Sequence, residues 1–124
     1  MNKKIVIIDD DQDARKLLQF ILKSHGLIVE VYSDGSGLDV LNPPYPDIYL
    51  IDINLGNTSG LELCAQLKKH KQTEHIPVII TSSNTDIIPL AKEACADDTL
   101  PKPFDSKELL NKINELTENR QHRS

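Results

Sequence analysis

The sequence lacks long hydrophobic runs, and its longest apolar stretches hold only about four or five residues. A segment that spans a bilayer needs roughly 20 apolar residues, so no membrane span is expected. Residues 1–4 run directly into a short strand-like segment and contain neither the apolar core nor the cleavage site of a signal peptide. Together these absences predict a cytoplasmic protein.

Positive charge is also scarce, because 14 Lys and Arg residues face 19 Asp and Glu residues and the formal net charge is −5. A surface of this sign repels nucleic acid and anionic membranes, so neither is an expected partner. The length of 124 residues fits one domain. We expect a single domain over residues 1–124, with its core at about 4–118 and a flexible tail at 119–124.

Cysteine and histidine patterns that bind metals are missing. Cys64 and Cys95 form no CxxC motif, and Cys64 lies in a helical apolar pattern that predicts a buried, reduced thiol. None of the four histidines belongs to an HExxH-like or triad-like motif. His25 is predicted to end a helix, where partial positive charge is favourable.

What the sequence does contain is an alternation of short apolar runs with longer amphipathic segments. The predicted strands are residues 5–8, 27–32, 48–51, 76–80 and 99–100, and helical patterns follow at residues 14–22, 36–41, 61–67, 87–95 and 109–116. Strands that are apolar throughout are typical of parallel sheets buried on both faces. Asp11 and Asp105 are candidate N-caps of the first and last helices. Five βα units predict an α/β fold with a doubly wound, five-stranded parallel sheet.

The polar residues of interest occur where the predicted strands end. Asp9-Asp10-Asp11 comes after the first strand, Asp52 after the third, Thr81-Ser82-Ser83 after the fourth and Lys102 after the fifth. In sheets of this type, ligands bind outside the carboxyl ends of the strands. The sequence therefore predicts that one site contains all four groups.

The carboxylates of this site converge if the first and third strands are neighbours. Two like charges ~4 Å apart repel by about 4 kcal/mol at an effective dielectric constant near 20. Asp9, Asp10 and Asp52 would therefore require a cation or a protonated partner. Carboxylate oxygens suit Mg²⁺ or Mn²⁺, and Mg²⁺ is commonly held by one or two carboxylates together with a phosphate group.

The other two groups are suited to holding an anion. Thr81 or Ser82 could donate a hydroxyl hydrogen bond to a phosphoryl oxygen, and the ammonium group of Lys102 could pair with an anion. With Asp52 as the nucleophile, the set predicts a phosphoryl-transfer site.

In this order and spacing, the residues resemble the receiver domains of two-component signalling over roughly residues 4–118. The motifs that carry the resemblance are IVIIDD at 5–10, LIDINL at 50–55 with Gly60 following, IITS at 79–82, ADD at 96–98 and KPF at 102–104. The resemblance implies a CheY-like, flavodoxin-like sheet with strand order 2-1-3-4-5. It also implies a signalling protein that is not an enzyme, except that it catalyses its own phosphorylation and dephosphorylation.

The resemblance implies that Asp52 accepts a phosphoryl group from a phosphohistidine on a histidine kinase or a histidine phosphotransfer protein. Asp10 and Asp52 would bind Mg²⁺ with the backbone carbonyl of Asn54, and Asp9 would contribute directly or through water. Mn²⁺ is an alternative ion, and no organic cofactor is implied.

Thr81 would bond a phosphoryl oxygen and draw the following loop inward, and Lys102 would bridge to Asp52 or to the phosphate. The Lys102–Pro103 peptide bond would be cis, as in the family. Because the chain ends soon after the last helix, we expect a stand-alone receiver, monomeric or weakly dimeric, that acts on an unidentified downstream protein.

Three residues depart from the family pattern. Thr99 stands where the family usually has an aromatic ring that changes position with Thr81, so this sequence lacks that coupling step. Gly56 stands where proline is common, which predicts a looser loop after Asp52. Cys95 replaces a frequent glycine, with no consequence that the sequence defines.

Three other functions remain as alternatives. The Asp-x-Asp of residues 9–11 occurs in phosphatases of the haloacid dehalogenase type, in which Asp9 would be the nucleophile, although Gln12-Asp13 does not match that family. A receiver-like binding module that works without phosphate is a second alternative, favoured by Thr99. A flavodoxin-like flavin site is the third, although an acidic first loop would repel a flavin phosphate.

Overall fold

A computed structural model describes residues 2–38, 43–56, 58–84, 86, 88–93 and 96–122 of the chain. The elements in chain order are β1 (Lys4–Ile8), α1 (Gln12–Ser24), β2 (Ile28–Tyr32), a 3-10 turn (Gly35–Gly37), β3 (Ile48–Asp52), α2 (Gly60–Lys69), β4 (Val78–Ser82), α3 (Ile88–Glu93), β5 (Asp98–Pro101) and α4 (Ser106–His122). None of the helices within these ranges is long and apolar enough to cross a bilayer.

The five strands form one sheet in the order β2-β1-β3-β4-β5, and every neighbouring pair is parallel. This confirms the predicted α/β fold and the strand order 2-1-3-4-5. Because parallel neighbours all point the same way, the carboxyl ends of β1, β3, β4 and β5 lie along one edge of the sheet.

The sheet separates two hydrophobic cores, because successive strand residues point to opposite faces. On one face, Val6, Ile8 and Ile51 pack with Cys64 and Leu67 of α2. The other face carries the alternate strand residues, packed against α1 and α4. That second core includes Ile5, Ile7, Leu22, Leu50, Ile79, Leu109 and Ile113. Helices therefore cover both faces, which is why the strands are apolar along their whole length.

The fourth strand begins and ends two residues later than the sequence pattern predicts. β4 pairs with β3 from Val78 onward, whereas Ile76 lies in the preceding turn and its N–H donates to the carbonyl of Thr73 over 3.0 Å. Ile76 is nevertheless completely buried. Its apolar side chain belongs to the core without belonging to a strand, which is why the prediction placed it in one.

The predicted second helix, at residues 36–41, is not an α-helix where the structure describes it. Residues Gly35–Gly37 form only a 3-10 turn, which Asp34 caps by accepting a hydrogen bond from the Ser36 N–H at 2.9 Å. Two glycines so close together disfavour an α-helix. Residues 39–41 of this predicted helix lie outside the described residues, as do residues 87, 94 and 95 of the predicted fourth helix.

Several local predictions are confirmed. Asp11 caps α1 by accepting hydrogen bonds from the N–H groups of Asp13 and Ala14, and His25 ends that helix. Asp105 accepts a hydrogen bond from the Glu108 N–H at 2.8 Å. Cys64 is buried and reduced, as predicted.

The amino end of the sheet is held by a network around Lys68 of α2. Its ammonium group donates to the Ile76 carbonyl at 2.9 Å and to Asp97 Oδ2 at 2.7 Å. The same oxygen of Asp97 accepts a hydrogen bond from the Val78 N–H at 2.8 Å. One largely buried lysine thus joins α2 to the starts of β4 and β5, at the edge opposite the polar strand ends.

Gly60 determines how closely α2 approaches the end of β3. Its N–H donates to the Ile53 carbonyl at 2.7 Å. A Cβ atom at this position would overlap the carbonyl oxygen of Asp52 and would lie 2.9 Å from both the Asp52 carbonyl carbon and the Ile53 Cα. Since all three atoms belong to the backbone, they cannot turn away as a side chain could, and only glycine fits.

We predict that Gly60→Ala destabilises the fold by roughly 1–3 kcal/mol, because the added methyl group must displace this backbone. Helix propensity alone predicts the opposite sign, a gain of about 1 kcal/mol. Urea unfolding followed by circular dichroism measures the difference. The matched control is Glu62→Ala at an exposed position of the same helical turn, where a change within about 0.5 kcal/mol is expected. A Gly60→Ala variant as stable as the wild type would contradict the steric argument.

Candidate functional site

Four strands deliver the polar residues to one edge of the sheet. Asp9 follows β1 directly, Asp52 is the last residue of β3, and Lys102 follows β5. Thr81 lies beside Asp52 in the register of β3 and β4. The strand order places β3 between β1 and β4, so the residues meet because of topology rather than closeness in sequence.

Three carboxylates form an acidic cluster at this edge. Asp9, Asp10 and Asp52 each offer an oxygen, and these oxygens lie within 4.8 Å of one another. Asp9 is only 3% exposed, whereas Asp10 is exposed to solvent. Carboxylate oxygens that converge beside open solvent fit a hard divalent cation such as Mg²⁺, which retains several water ligands.

Lys102 lies between two of these carboxylates. Its ammonium nitrogen is 2.8 Å from Asp52 Oδ2 and 3.1 Å from Asp9 Oδ2. Its backbone N–H donates to the Ser82 carbonyl at 2.8 Å, which fixes the residue at the end of β5. The Lys102–Pro103 peptide bond is cis, as expected.

Burial and charge act in opposite directions on the ionisable groups of the site. Burial raises the pKa of Asp9, and repulsion from Asp52 raises it further, against the lowering effect of hydrogen bonds from the Asp11 N–H and from Lys102. Burial lowers the pKa of Lys102, but its bonds to Asp52 and Asp9 outweigh burial and leave that pKa raised. One ammonium therefore compensates two carboxylates only in part.

The hydroxyl groups at the end of β4 are not equivalent. The Ser82 hydroxyl accepts a hydrogen bond from the Asn84 N–H at 2.9 Å and donates to the Asn84 carbonyl at 3.2 Å. Thr81 is buried, and its hydroxyl has no hydrogen-bond partner within the described ranges. Of the two residues left open by the sequence, Thr81 is the one whose hydroxyl is free to bond a ligand.

The segment after Asp52 is tied to the same carboxylate. The Asn54 N–H donates to Asp52 Oδ1 at 3.0 Å, and the Asn54 side-chain oxygen accepts a hydrogen bond from the Gly56 N–H at 3.3 Å. Gly56 has a φ angle of +74°. Proline, whose φ is fixed near −65°, could not adopt this conformation, so this loop requires a residue other than proline at position 56.

One residue near the site was missed in the sequence. The guanidinium group of Arg15, in the first turn of α1, donates to the backbone carbonyl of Asp9 over 2.7 Å. Its position four residues after the N-cap Asp11 could have suggested that it points back to the acidic loop. The periodicity of α1 indicates only which of its positions are apolar and gives no signal for a polar contact such as this one.

An open groove of about 430 Å³ adjoins the cluster. Asp9 and Lys102 lie at one part of its lining, and apolar side chains from α1 and from the segment after β5 form much of the rest, among them Leu17, Leu18, Ile21 and Phe104. On α1, Leu17 is 60% exposed and Phe20 is 74% exposed. The polar site is therefore bordered by an apolar surface that solvent reaches.

Comparisons with known proteins identify the family to which this sequence and fold are similar. The model of the response regulator receiver domain family matches residues 5–114. A CheY-like response regulator receiver domain protein from Methanospirillum hungatei JF-1 is 26% identical, with a TM-score of 0.87 and complete coverage of both chains. The receiver domain of the Francisella response regulator 1452 is 29% identical, with a TM-score of 0.84 and coverage of 95% of this chain and 98% of that one.

A third similar structure comes from a different kind of signalling protein. The signal receiver domain of a signal transduction histidine kinase from Syntrophus aciditrophicus is 26% identical, with a TM-score of 0.85 and coverage of 94% of this chain and 91% of that one. Since the family model spans almost the whole sheet and its helices, the phosphatase and flavodoxin families considered above are not the family of this chain. The chain belongs to the response regulator receiver domains, the signalling domains of two-component phosphorelays.

Proposed function

We propose that this receiver domain accepts a phosphoryl group on Asp52 in a Mg²⁺-dependent reaction and signals through a protein partner. The observation that carries the proposal is the contact of Lys102 with both Asp9 and Asp52 beside a third carboxylate and a free hydroxyl. A nucleophile, cation ligands and two donors for phosphoryl oxygens lie within one small region. Phosphoryl transfer depends mainly on such positioning and charge stabilisation.

The phosphoryl donor in this proposal is a phosphohistidine of a histidine kinase or a histidine phosphotransfer protein. A carboxylate oxygen of Asp52 attacks phosphorus, the P–N bond to the imidazole breaks, and the leaving imidazole nitrogen takes a proton from solvent. The product is an acyl phosphate, which water later hydrolyses to restore the carboxylate. The domain thus assists only its own phosphorylation and dephosphorylation.

The residues that would hold Mg²⁺, or Mn²⁺, are Asp9, Asp10 and Asp52 together with the backbone carbonyl of Asn54. A bound divalent ion supplies charge neutralisation at the phosphoryl oxygens. Lys102 pairs with one of these oxygens once Asp52 is phosphorylated, because its ion pair with the Asp52 carboxylate is then lost.

Thr81 acts after the transfer. Its free hydroxyl donates to a phosphoryl oxygen on the neighbouring strand, and this bond pulls the residues after β4 toward the site. Phosphorylation in this way shifts a two-state equilibrium, as local charge changes do in other switches. The exposed apolar side chains of α1, Leu17 in the groove beside the site and Phe20 on the same helix, support a protein rather than a small molecule as the phosphodonor.

A binding module that works without phosphate is the second candidate. It is favoured by Thr99, which pairs with Ile80 at the centre of the β4–β5 register and replaces the aromatic residue usual in the family. The complete set of carboxylate, lysine and threonine groups supports the phosphorylated switch instead. The proposal also includes a cytoplasmic location and a monomeric or weakly dimeric state.

We predict that acetyl phosphate with Mg²⁺ adds one phosphoryl group to the wild type, and that Asp52→Asn abolishes the addition because an amide is not a nucleophile. Intact mass and site mapping measure this outcome. Asp11→Asn is the matched control, because asparagine caps a helix as well as aspartate does and Asp11 lies outside the acidic cluster. Phosphate mapped to Asp9 would favour phosphatase-like chemistry, and an unmodified wild type would favour the phosphate-independent module.

We predict that Lys102→Met lowers the free energy of unfolding by about 2 kcal/mol without divalent ions, because two largely buried carboxylates lose their counter-charge. Mg²⁺ should then stabilise the variant more than the wild type, since binding to the folded state adds stability by mass action. Denaturant unfolding with EDTA and with Mg²⁺ tests both statements. Lys107→Met, at an exposed position, is the control. Equal stabilisation of Lys102→Met and wild type by Mg²⁺ would argue against competition between the ammonium and the ion.

We predict that Thr81→Val, which replaces the hydroxyl by a methyl group, still takes up phosphate at Asp52 but loses most of the conformational response. The receiver domain of DrrB has been solved in a BeF₃-activated form, so this anion is a suitable stable probe. Amide chemical shifts recorded with Mg²⁺ and BeF₃ should change at β4 and β5 in the wild type and much less in the variant. Thr81→Ser retains the hydroxyl and should respond like the wild type. A full response from Thr81→Val would remove Thr81 from the switch.

A further inference from the structure

Every polar atom of Asp9 is engaged in a hydrogen bond. Its N–H donates to the Tyr32 carbonyl at 3.0 Å, Oδ1 accepts from the Asp11 N–H at 3.0 Å, and Oδ2 accepts from Lys102 at 3.1 Å. The carbonyl oxygen accepts the shortest of these bonds, 2.7 Å, from the guanidinium group of Arg15. Asp9 is therefore held at four points, of which Arg15 supplies one.

Asp10 is in the opposite situation. It is exposed, and its carboxylate has no hydrogen-bond partner in the part of the chain that the structure describes, although its oxygen lies within the acidic cluster. The carbonyl of Asp9 and the nitrogen of Asp10 belong to one planar peptide unit. A group that fixes this carbonyl therefore also fixes the position of the Asp10 Cα atom, from which the Asp10 side chain leaves the backbone.

Arg15 is placed to fix that peptide and not to form an ion pair with a carboxylate. It belongs to α1, whose start is set by the Asp11 cap, and its own N–H donates to the Asp11 carbonyl at 3.0 Å. Within the described ranges its guanidinium group forms no ion pair with a carboxylate, despite four aspartates at residues 9–13. The guanidinium group bonds to a neutral carbonyl, and a bond of this kind positions the backbone without neutralising a charge.

We propose that Arg15 is a positioning residue for divalent-cation binding, acting through the Asp9–Asp10 peptide to orient two of the three cluster carboxylates. The inference rests on the proposed function, because it assumes that the cluster binds Mg²⁺. Mg²⁺ demands near-ideal octahedral geometry, so its affinity is sensitive to small changes in ligand direction. Groups that orient metal ligands typically change metal affinity by about 10- to 100-fold.

If Arg15 is replaced, the loss of its positioning bond and the loss of its charge predict opposite changes in Mg²⁺ affinity, so the inference can be tested. A positive guanidinium group near a cation site opposes cation binding by repulsion, so removing that charge alone would tighten Mg²⁺ binding. Removing a positioning bond would weaken it. Lys16, the exposed next residue of α1, carries the same charge without the bond to Asp9 and serves as the matched control.

The experiment measures Mg²⁺ dissociation constants by titration calorimetry on the unphosphorylated full chain. Arg15→Met should weaken binding by roughly 10-fold, whereas Lys16→Met should leave it unchanged or slightly tighter. Arg15→Lys, which keeps a donor for the Asp9 carbonyl, should fall between Arg15→Met and the wild type. If Arg15→Met binds Mg²⁺ as tightly as Lys16→Met does, the inference is wrong.

A second measurement separates positioning from general damage to the fold. In phosphorylation by acetyl phosphate, Arg15→Met should need roughly 10-fold more Mg²⁺ for half-maximal rate and reach the wild-type rate at saturation. A lower maximal rate with an unchanged Mg²⁺ requirement would overturn the inference. If the wild type itself binds no Mg²⁺, the proposed function fails. If the wild type binds and only the Arg15 effect is missing, the inference alone fails.

Discussion

Two largely buried carboxylates, Asp9 and Asp52, share the ammonium group of one lysine, and the rest of the site depends on that arrangement. The side chains of these aspartates are 4% and 11% exposed, so solvent screens their repulsion poorly. The positive charge of Lys102 reduces this repulsion but offsets only one of the two negative charges, and Asp10 adds a third negative charge at the same place. The folded chain thus keeps a concentration of negative charge at this edge. In the proposed function, a divalent cation relieves that charge and a phosphoryl group redistributes it.

The sheet can hold this charge because its opposite edge is firmly connected. Lys68 satisfies acceptors from two segments, and Asp97 binds both that lysine and the start of β4. Here the ion pair is well satisfied, because Lys68 Nζ has three acceptors and Asp97 Oδ2 has two donors. At the edge with the acidic cluster the charges are less completely paired, because Lys102 is the counter-charge of both Asp9 and Asp52 and the Asp10 carboxylate lies beside them.

The sequence predicted the features that follow from periodicity and from topology. Apolar runs identified the strands, and the rule for the carboxyl ends of parallel strands predicted that Asp9, Asp52, Thr81 and Lys102 lie together. The position of β4 was wrong by two residues, because Ile76 is buried by tertiary packing while its backbone forms a turn. Periodicity records burial, and it cannot tell a buried strand residue from a buried turn residue.

Close contacts with backbone atoms of another segment could not be predicted from the sequence, for a related reason. The bond from Arg15 to the Asp9 carbonyl and the fit of Gly60 against Asp52 depend on where a helix starts relative to a strand. Such distances are set by packing of the whole domain, and no spacing rule contains them. The resemblance to receiver domains marked Gly60 as part of a motif, but only the structure gives the steric reason.

Backbone contacts around Lys102 offer the proposed switch a route from the site to β4 and β5 that does not use an aromatic side chain at position 99. The Lys102 side chain contacts Asp52 on β3, while its N–H is bonded to the Ser82 carbonyl on β4. Thr81 precedes that carbonyl by one residue and lies beside Asp52 in the register. In the proposed switch, a change of charge on Asp52 would act on β4 and on the end of β5 through these two adjacent contacts. Thr99 is paired with Ile80, one residue before Thr81, so strand pairing would carry the displacement to Thr99 without a ring that changes position.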